Sequence, residues 1–184
     1  MTDITQAFLR KSRSLLVSDY LPKIGRCLEH LTDEEVWSRP NEACNSVGNL
    51  LLHLRGNLTQ WIIGGVAGKA YERHRQQEFD ERTEITAREL LARLRAIVEE
   101  ADVVIGGLTA EALLSRRQIQ GYEVTVLEAV YHVVEHFGMH TGQIILLTKA
   151  RTAEDLKLWR PVSPVDEVVG IAGRPLAHNK ERPE

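Results

Sequence analysis

The chain has 184 residues, 43% of them hydrophobic and 27% charged, with a formal net charge of −3. That length suits one domain with a substantial core, and that charge argues against nucleic acid or an anionic membrane surface as a partner. Cys27 and Cys44 make neither a CxxC pair nor a disulfide framework. The apolar runs are broken by charged residues and histidines, and no charged-then-apolar leader opens the chain, so a soluble cytoplasmic protein is expected.

Apolar residues at Ile4, Phe8, Leu15, Leu16, Tyr20, Leu21, Ile24 and Leu28 have the spacing of an amphipathic helix from Thr2 to about Leu31. Pro22 should kink or break it, because proline removes a donor and crowds the preceding turn. Thr32-Asp33-Glu34-Glu35 is a capping box for a short helical turn that Arg39-Pro40-Asn41 ends. Asn45-Ser46 offers the N-cap of a second helix, Val47 to about Val66, with Gly64-Gly65 loosening its end. The stretch from Gly68 to Glu84 is densely charged and reads as a solvated loop. Thr86 and Glu89 cap a third helix to about Ile105, which Gly106-Gly107 stops. Leu108 to Gly121 is a connection, with a short extended piece over Arg116 to Gln120.

Thr125 and Glu128 open the fourth helix, which runs to about Ala150. A short helical turn is expected around Ala153 to Leu158, and the proline-rich remainder is expected to be irregular. Four long helices, no clear strands and long polar connections predict an all-α four-helix bundle over residues 1–160, with an irregular C-terminal tail over 161–184.

Three of the seven histidines, His132, His136 and His140, recur every four residues on the fourth helix and so share a face. The outer two lie about 12 Å apart along the axis, whereas metal–nitrogen bonds are only about 2 Å long. One adjacent pair must therefore be chosen. At about 100° per residue, His140 flanks the apolar sector that holds Val130, Val134, Phe137, Thr141, Ile144 and Ile145. His136 falls at the border of that sector, and His132 turns further toward solvent. Metal sites in bundles use inward-facing side chains, which favours His136 and His140 and leaves His132 as a flanking group.

The run His132-Val133-Val134-Glu135-His136 also matches the H-x-x-E-H pattern of inverted zinc peptidases. It would use the more solvent-facing pair and leave only 48 residues after His136, much of them broken by proline, so that reading is set aside. His30 lies at a helix end, His74 in a charged loop and His178 in the tail. His53, by contrast, interrupts the apolar run Leu50-Leu51-Leu52-His53-Leu54 and belongs to a polar row with Asn49, Asn57 and Gln60. A histidine buried there needs a partner. If the two polar rows face each other across the bundle, His53 is the third ligand.

Three pieces of the chain carry a family resemblance. Asn45-Ser46-Val47-Gly48-Asn49-Leu50-Leu51-Leu52-His53-Leu54 resembles a helix start that leads to a first metal histidine. His136-Phe137-Gly138-Met139-His140-Thr141-Gly142-Gln143-Ile144 resembles an H-x-x-x-H-x-G-Q-I signature, and Leu31-Thr32-Asp33-Glu34-Glu35 through Arg39-Pro40 resembles the connection before the second helix. Together they resemble the DinB/YfiT-like superfamily of small helical bundles, over about residues 1–150. His53-Leu54-Arg55-Gly56-Asn57 and the charged Arg73 to Arg82 stretch with Glu78-Phe79-Asp80 resemble a poorly characterised subgroup.

The resemblance implies a divalent ion held by His53, His136 and His140, commonly in a homodimer. Met139 and Thr141 stand where the family often has arginine or another histidine, so contacts from those positions do not carry over. It also implies either hydrolysis of a small molecule or transfer using a low-molecular-weight thiol. The alternative is a non-catalytic, stress-related binding protein with a structural ion. Three imidazoles admit zinc, nickel, iron or copper. Tyr131, Glu135, Asn57, Arg55 and Gln143 are outer-shell candidates whose simpler reading is structural, and no catalytic residue is assigned.

Overall fold

The computed structural model describes residues 3–82 and 85–158. The expected irregular tail over 161–184 therefore lies outside the described residues. The first long helical stretch consists of α1 (Ile4–Ser14), a π-helical segment (Leu15–Tyr20) and α2 (Leu21–Leu28). Asp3 caps α1 by accepting from the Thr5 N–H. Pro22 does not break the helix. The turn before it widens instead, with the Leu21 N–H reaching back five residues to the Leu16 carbonyl. Pro22 then occupies the first turn of α2, where a missing N–H costs little.

Thr32 and Glu35 form the expected capping box of α3 (Asp33–Trp37). Ser46 and Asn49 form another at α4 (Val47–Leu58), which continues as a second π-helical segment (Thr59–Val66). The third bundle helix is α6 (Ala87–Gly106), capped by Thr86. The fourth is α8 (Val126–Thr152), with the Thr125/Glu128 capping box. The fold is thus an all-α four-helix bundle. Phe137 and Ile144 of α8, Leu51, Leu54 and Leu58 of α4, Leu94 and Ile105 of α6 and Ile24 of α2 are fully buried at its centre. No helix among the described residues is long and apolar enough to cross a membrane.

Three expectations for the connections need correction. The stretch after Gly68 is not wholly a solvated loop, because α5 (Arg75–Asp80) forms within it and packs on α4. Between α7 (Ala110–Leu114) and α8 lies an antiparallel hairpin, β1 (Arg116–Ile119) and β2 (Tyr122–Thr125), rather than a single extended piece. Gln120 and Gly121 both have left-handed backbones (φ 54° and 82°), the geometry of a two-residue hairpin turn. Ile119 is buried against the second π-helical segment. Finally, residues 153–158 are not helical. Ala153 ends α8 in a left-handed conformation, and Leu156 is fully buried, with its carbonyl accepting from Arg26 Nε at 3.3 Å.

Candidate metal centre

α4 and α8 pack directly on each other, and their two polar rows meet. His53 is 5% exposed and His140 8% exposed, while His136 is half-buried. Nε2 of His53 and Nε2 of His136 approach to 2.9 Å across the helix interface. The ring centroid of His140 lies 5.1 Å from that of His53 and 4.4 Å from that of His136. One nitrogen from each ring falls in a cluster whose members are all within 4.8 Å of one another.

The second ring nitrogens of His53 and His140 are occupied. His53 Nδ1 lies 2.9 Å from Glu78 Oε2. A carboxylate only accepts, so that nitrogen carries the hydrogen and Nε2 is left with its lone pair. Arg73 Nη2 lies 3.3 Å from the same Nδ1, but its donation goes to Glu78 Oε2 at 2.8 Å. His140 Nδ1 donates to Gln143 Oε1 at 2.6 Å, one helical turn on, again freeing Nε2. Metal-bound histidines are commonly held this way through their second nitrogen. Two nitrogens on a tetrahedral ion at bonds of about 2.1 Å stand about 3.4 Å apart, so the widest pair, within 4.8 Å, would close by at most roughly 1.4 Å, a shift that side-chain rotation can supply. The donor set fits a divalent metal ion, and these three histidines can hold one.

Burial disfavours the charged form of His136 and His140. Burial, reinforced by His140, His53, His132 and Arg73, pulls the His136 pKa down to about 3. His140 is lowered chiefly by burial, with its bond to Gln143 working in the opposite direction. Glu78 is buried, which by itself would raise it. Its bonds to Arg73 and His53 outweigh that effect and hold it below the ordinary carboxylate value.

His132 is not among the three clustered ligands, although its ring lies 5.4 Å from that of His136. Its ring lies against that of Trp61, tilted, with centroids 4.0 Å apart, and its Nε2 lies 3.2 Å from Asn57 Nδ2. Asn57 Oδ1 and Trp61 Nε1 beside it are buried without a hydrogen-bond partner among the described residues. Of the outer-shell candidates, Gln143 touches His140 and Asn57 touches His132. Tyr131, Glu135 and Arg55 are exposed. Arg73 and Glu78 went unassigned in the sequence because they sit in a run of charges. A signal was present: Tyr71 and Phe79 punctuate that run, and Gly56 stands one turn after His53.

The family described as "protein of unknown function (DUF1572)" matches residues 3–163. This chain belongs to that family. Among solved structures, the DUF1572 chain is similar to a DinB-like protein from Bacillus cereus, with 15% identity, a TM-score of 0.62 and coverage of 79% of this chain and 91% of that one. It is also similar to a conserved protein from Enterococcus faecalis, with 16% identity, a TM-score of 0.65 and coverage of 84% and 100%. At those identities the likeness is one of fold, and the fold is DinB-like. No curated protein matches the chain.

Proposed function

We propose that this protein binds a divalent metal ion through Nε2 of His53, His136 and His140 and uses it on a small molecule, as a hydrolase or a thiol-dependent transferase. The observation that carries the reading is the convergence of these nitrogens from two helices while Glu78 and Gln143 occupy the other nitrogens of two of the rings. An ion on three neutral imidazoles lowers the proton affinity of a water or thiol beside it. The chain's own groups orient that site. Glu78 keeps the proton on His53 Nδ1, Gln143 keeps the proton on His140 Nδ1, and the Phe79 ring covers His53 at a centroid distance of 4.8 Å. Zinc, nickel and iron all suit such a donor set. The small-molecule substrate, the thiol and a homodimer enter this proposal from the resemblance alone.

A second reading is a structural ion that ties α4 to α8 without turnover. It is favoured by how tightly Arg73, Glu78 and Phe79 close over one side of the cluster. Elemental analysis of protein purified without an affinity tag, beside a His136→Ala variant, tests the site itself. Wild-type protein should carry about one ion per chain and the variant none; equal content in both would sink the assignment. Catalysis predicts that the metal-loaded protein turns over in screens of thiol transfer and ester or amide hydrolysis and that His136→Ala does not. A structural ion predicts a stability gain with no turnover.

A further inference from the structure

We infer that Glu78, clamped by Arg73, is the positioning residue of the metal centre: it sets the ring of His53 and makes the segment around α5 part of the site. The inference rests on the three-histidine reading above. Each oxygen of the Glu78 carboxylate is engaged. Oε1 accepts from Arg73 Nε at 2.7 Å, while Oε2 accepts from Arg73 Nη2 at 2.8 Å and from His53 Nδ1 at 2.9 Å. The three side chains are only 11%, 5% and 6% exposed for Glu78, Arg73 and His53 respectively. Turning the carboxylate would break both arginine bonds along with the histidine bond. Arg73 is itself anchored, with Nη1 donating to Gln60 Oε1 at 2.6 Å.

The backbone of the segment is fastened as firmly. Asn49 Nδ2 donates to the carbonyls of Glu78 and Glu81 at 2.9 and 3.0 Å, and Arg39 Nη2 donates to the Phe79 carbonyl at 3.0 Å. Gly56 supplies the clearance. A Cβ at that position would lie 2.0 Å from Glu78 Oε1 and 2.8 Å from Arg73 Nε. The polar row along α4 and the π-helical segment that continues it is therefore a docking track: Asn49 and Gln60 hold the segment at either end, and His53 between them receives its carboxylate. A carboxylate on the distal nitrogen fixes the tautomer and strengthens the ring as a ligand, and its loss typically costs about 10–100-fold in metal affinity.

The test is a zinc titration against a competing chelator on wild type, Glu78→Gln, Glu78→Ala, Gly56→Ala and His136→Ala, with ¹⁵N NMR of the His53 ring in the metal-free proteins. Glu78→Ala should weaken zinc binding by about 10–100-fold. Glu78→Gln should weaken it less, because the amide oxygen still accepts. Gly56→Ala, which touches no ligand and favours helix, should also weaken it by displacing the carboxylate. The Nδ1–H form of His53 should dominate in wild type and lose that dominance in Glu78→Ala, a change that a merely structural ion pair would not produce. Should Glu78→Ala fail to fold, Gly56→Ala carries the decision. Wild-type zinc affinity in Glu78→Ala and Gly56→Ala, or an unchanged His53 tautomer, overturns the inference while loss of binding in His136→Ala leaves the metal site standing. A wild-type protein that binds no zinc overturns the metal reading and this inference with it.

Discussion

His136 is the most strongly perturbed group in the cluster, and its burial predicts that stability falls in acid. Its folded pKa of about 3 lies below the ordinary 6.5, so the folded state keeps it neutral while the unfolded chain takes up a proton. The unfolded state binds more protons between those two values, so stability is retained above about pH 6.5 and falls as the pH drops toward 3, by at most roughly 1.4 kcal/mol per pH unit. Glu78 acts in the same direction at lower pH. Its folded pKa is depressed below 4.5, so its contribution is present above that value and is lost as the pH falls through the folded one. Urea unfolding of metal-free protein between pH 7 and 4 should show this decline. His136→Leu should flatten the upper part of it, and an unchanged slope in that variant would mean His136 is not buried neutral. Acid should also weaken metal binding, because the ligands must shed their protons first.

Elements in this protein are placed by close approaches as much as by periodicity. The hairpin seats Ile119 so near the second π-helical segment that a Cβ on Gly65 would lie 2.4 Å from Ile119 Cδ1 and 3.2 Å from the Gln60 carbonyl oxygen. Ile119 is buried and cannot swing away. Gly65→Ala should therefore destabilise the fold by about 1–3 kcal/mol in denaturant melts. Gly142 on α8 is the contrasting case. It belongs to the signature-like run after His140, yet it is exposed and a Cβ there would meet nothing within 4 Å. Gly142→Ala should stabilise α8 by about 0.5–1 kcal/mol through helix propensity alone. A loss of stability instead would show that something packs against that face of α8.

At the scale of the whole molecule, α4 and α8 carry both the core and the site. Phe137, one residue after His136, is fully buried, and Phe137→Ala should cost about 3–5 kcal/mol. Because the three histidines come from two separate helices, an ion joining them binds the folded state and not the unfolded chain. Zinc at about 1,000 times its dissociation constant should then add about 4 kcal/mol. For a chain of this size that corresponds to roughly 2–4 °C in Tm per kcal/mol. The shift should vanish in His53→Ala. A melting temperature indifferent to zinc, nickel and iron in the wild type would remove the metal from the account.

What the sequence by itself determined was local. The N-caps at Ser46, Thr86 and Thr125 and the 3.6-residue apolar rhythm set the long helices, because those forces act within a turn or two of chain. The rhythm of α8 also ranked His140 and His136 ahead of His132, whose ring lies between those of Trp61 and His136 at 4.0 and 5.4 Å. Two things were hidden from it. A Gln-Gly pair is a weak hairpin signal, so β2 went unread, and a run of charges reads as solvated unless its partners are known. Only the tertiary structure brought Glu78 and Arg73 back over α4 and joined His53 to residues 83 and 87 positions away. The physical reason is that a buried charge is tolerable only when paired, and that pairing lies between segments distant in the chain.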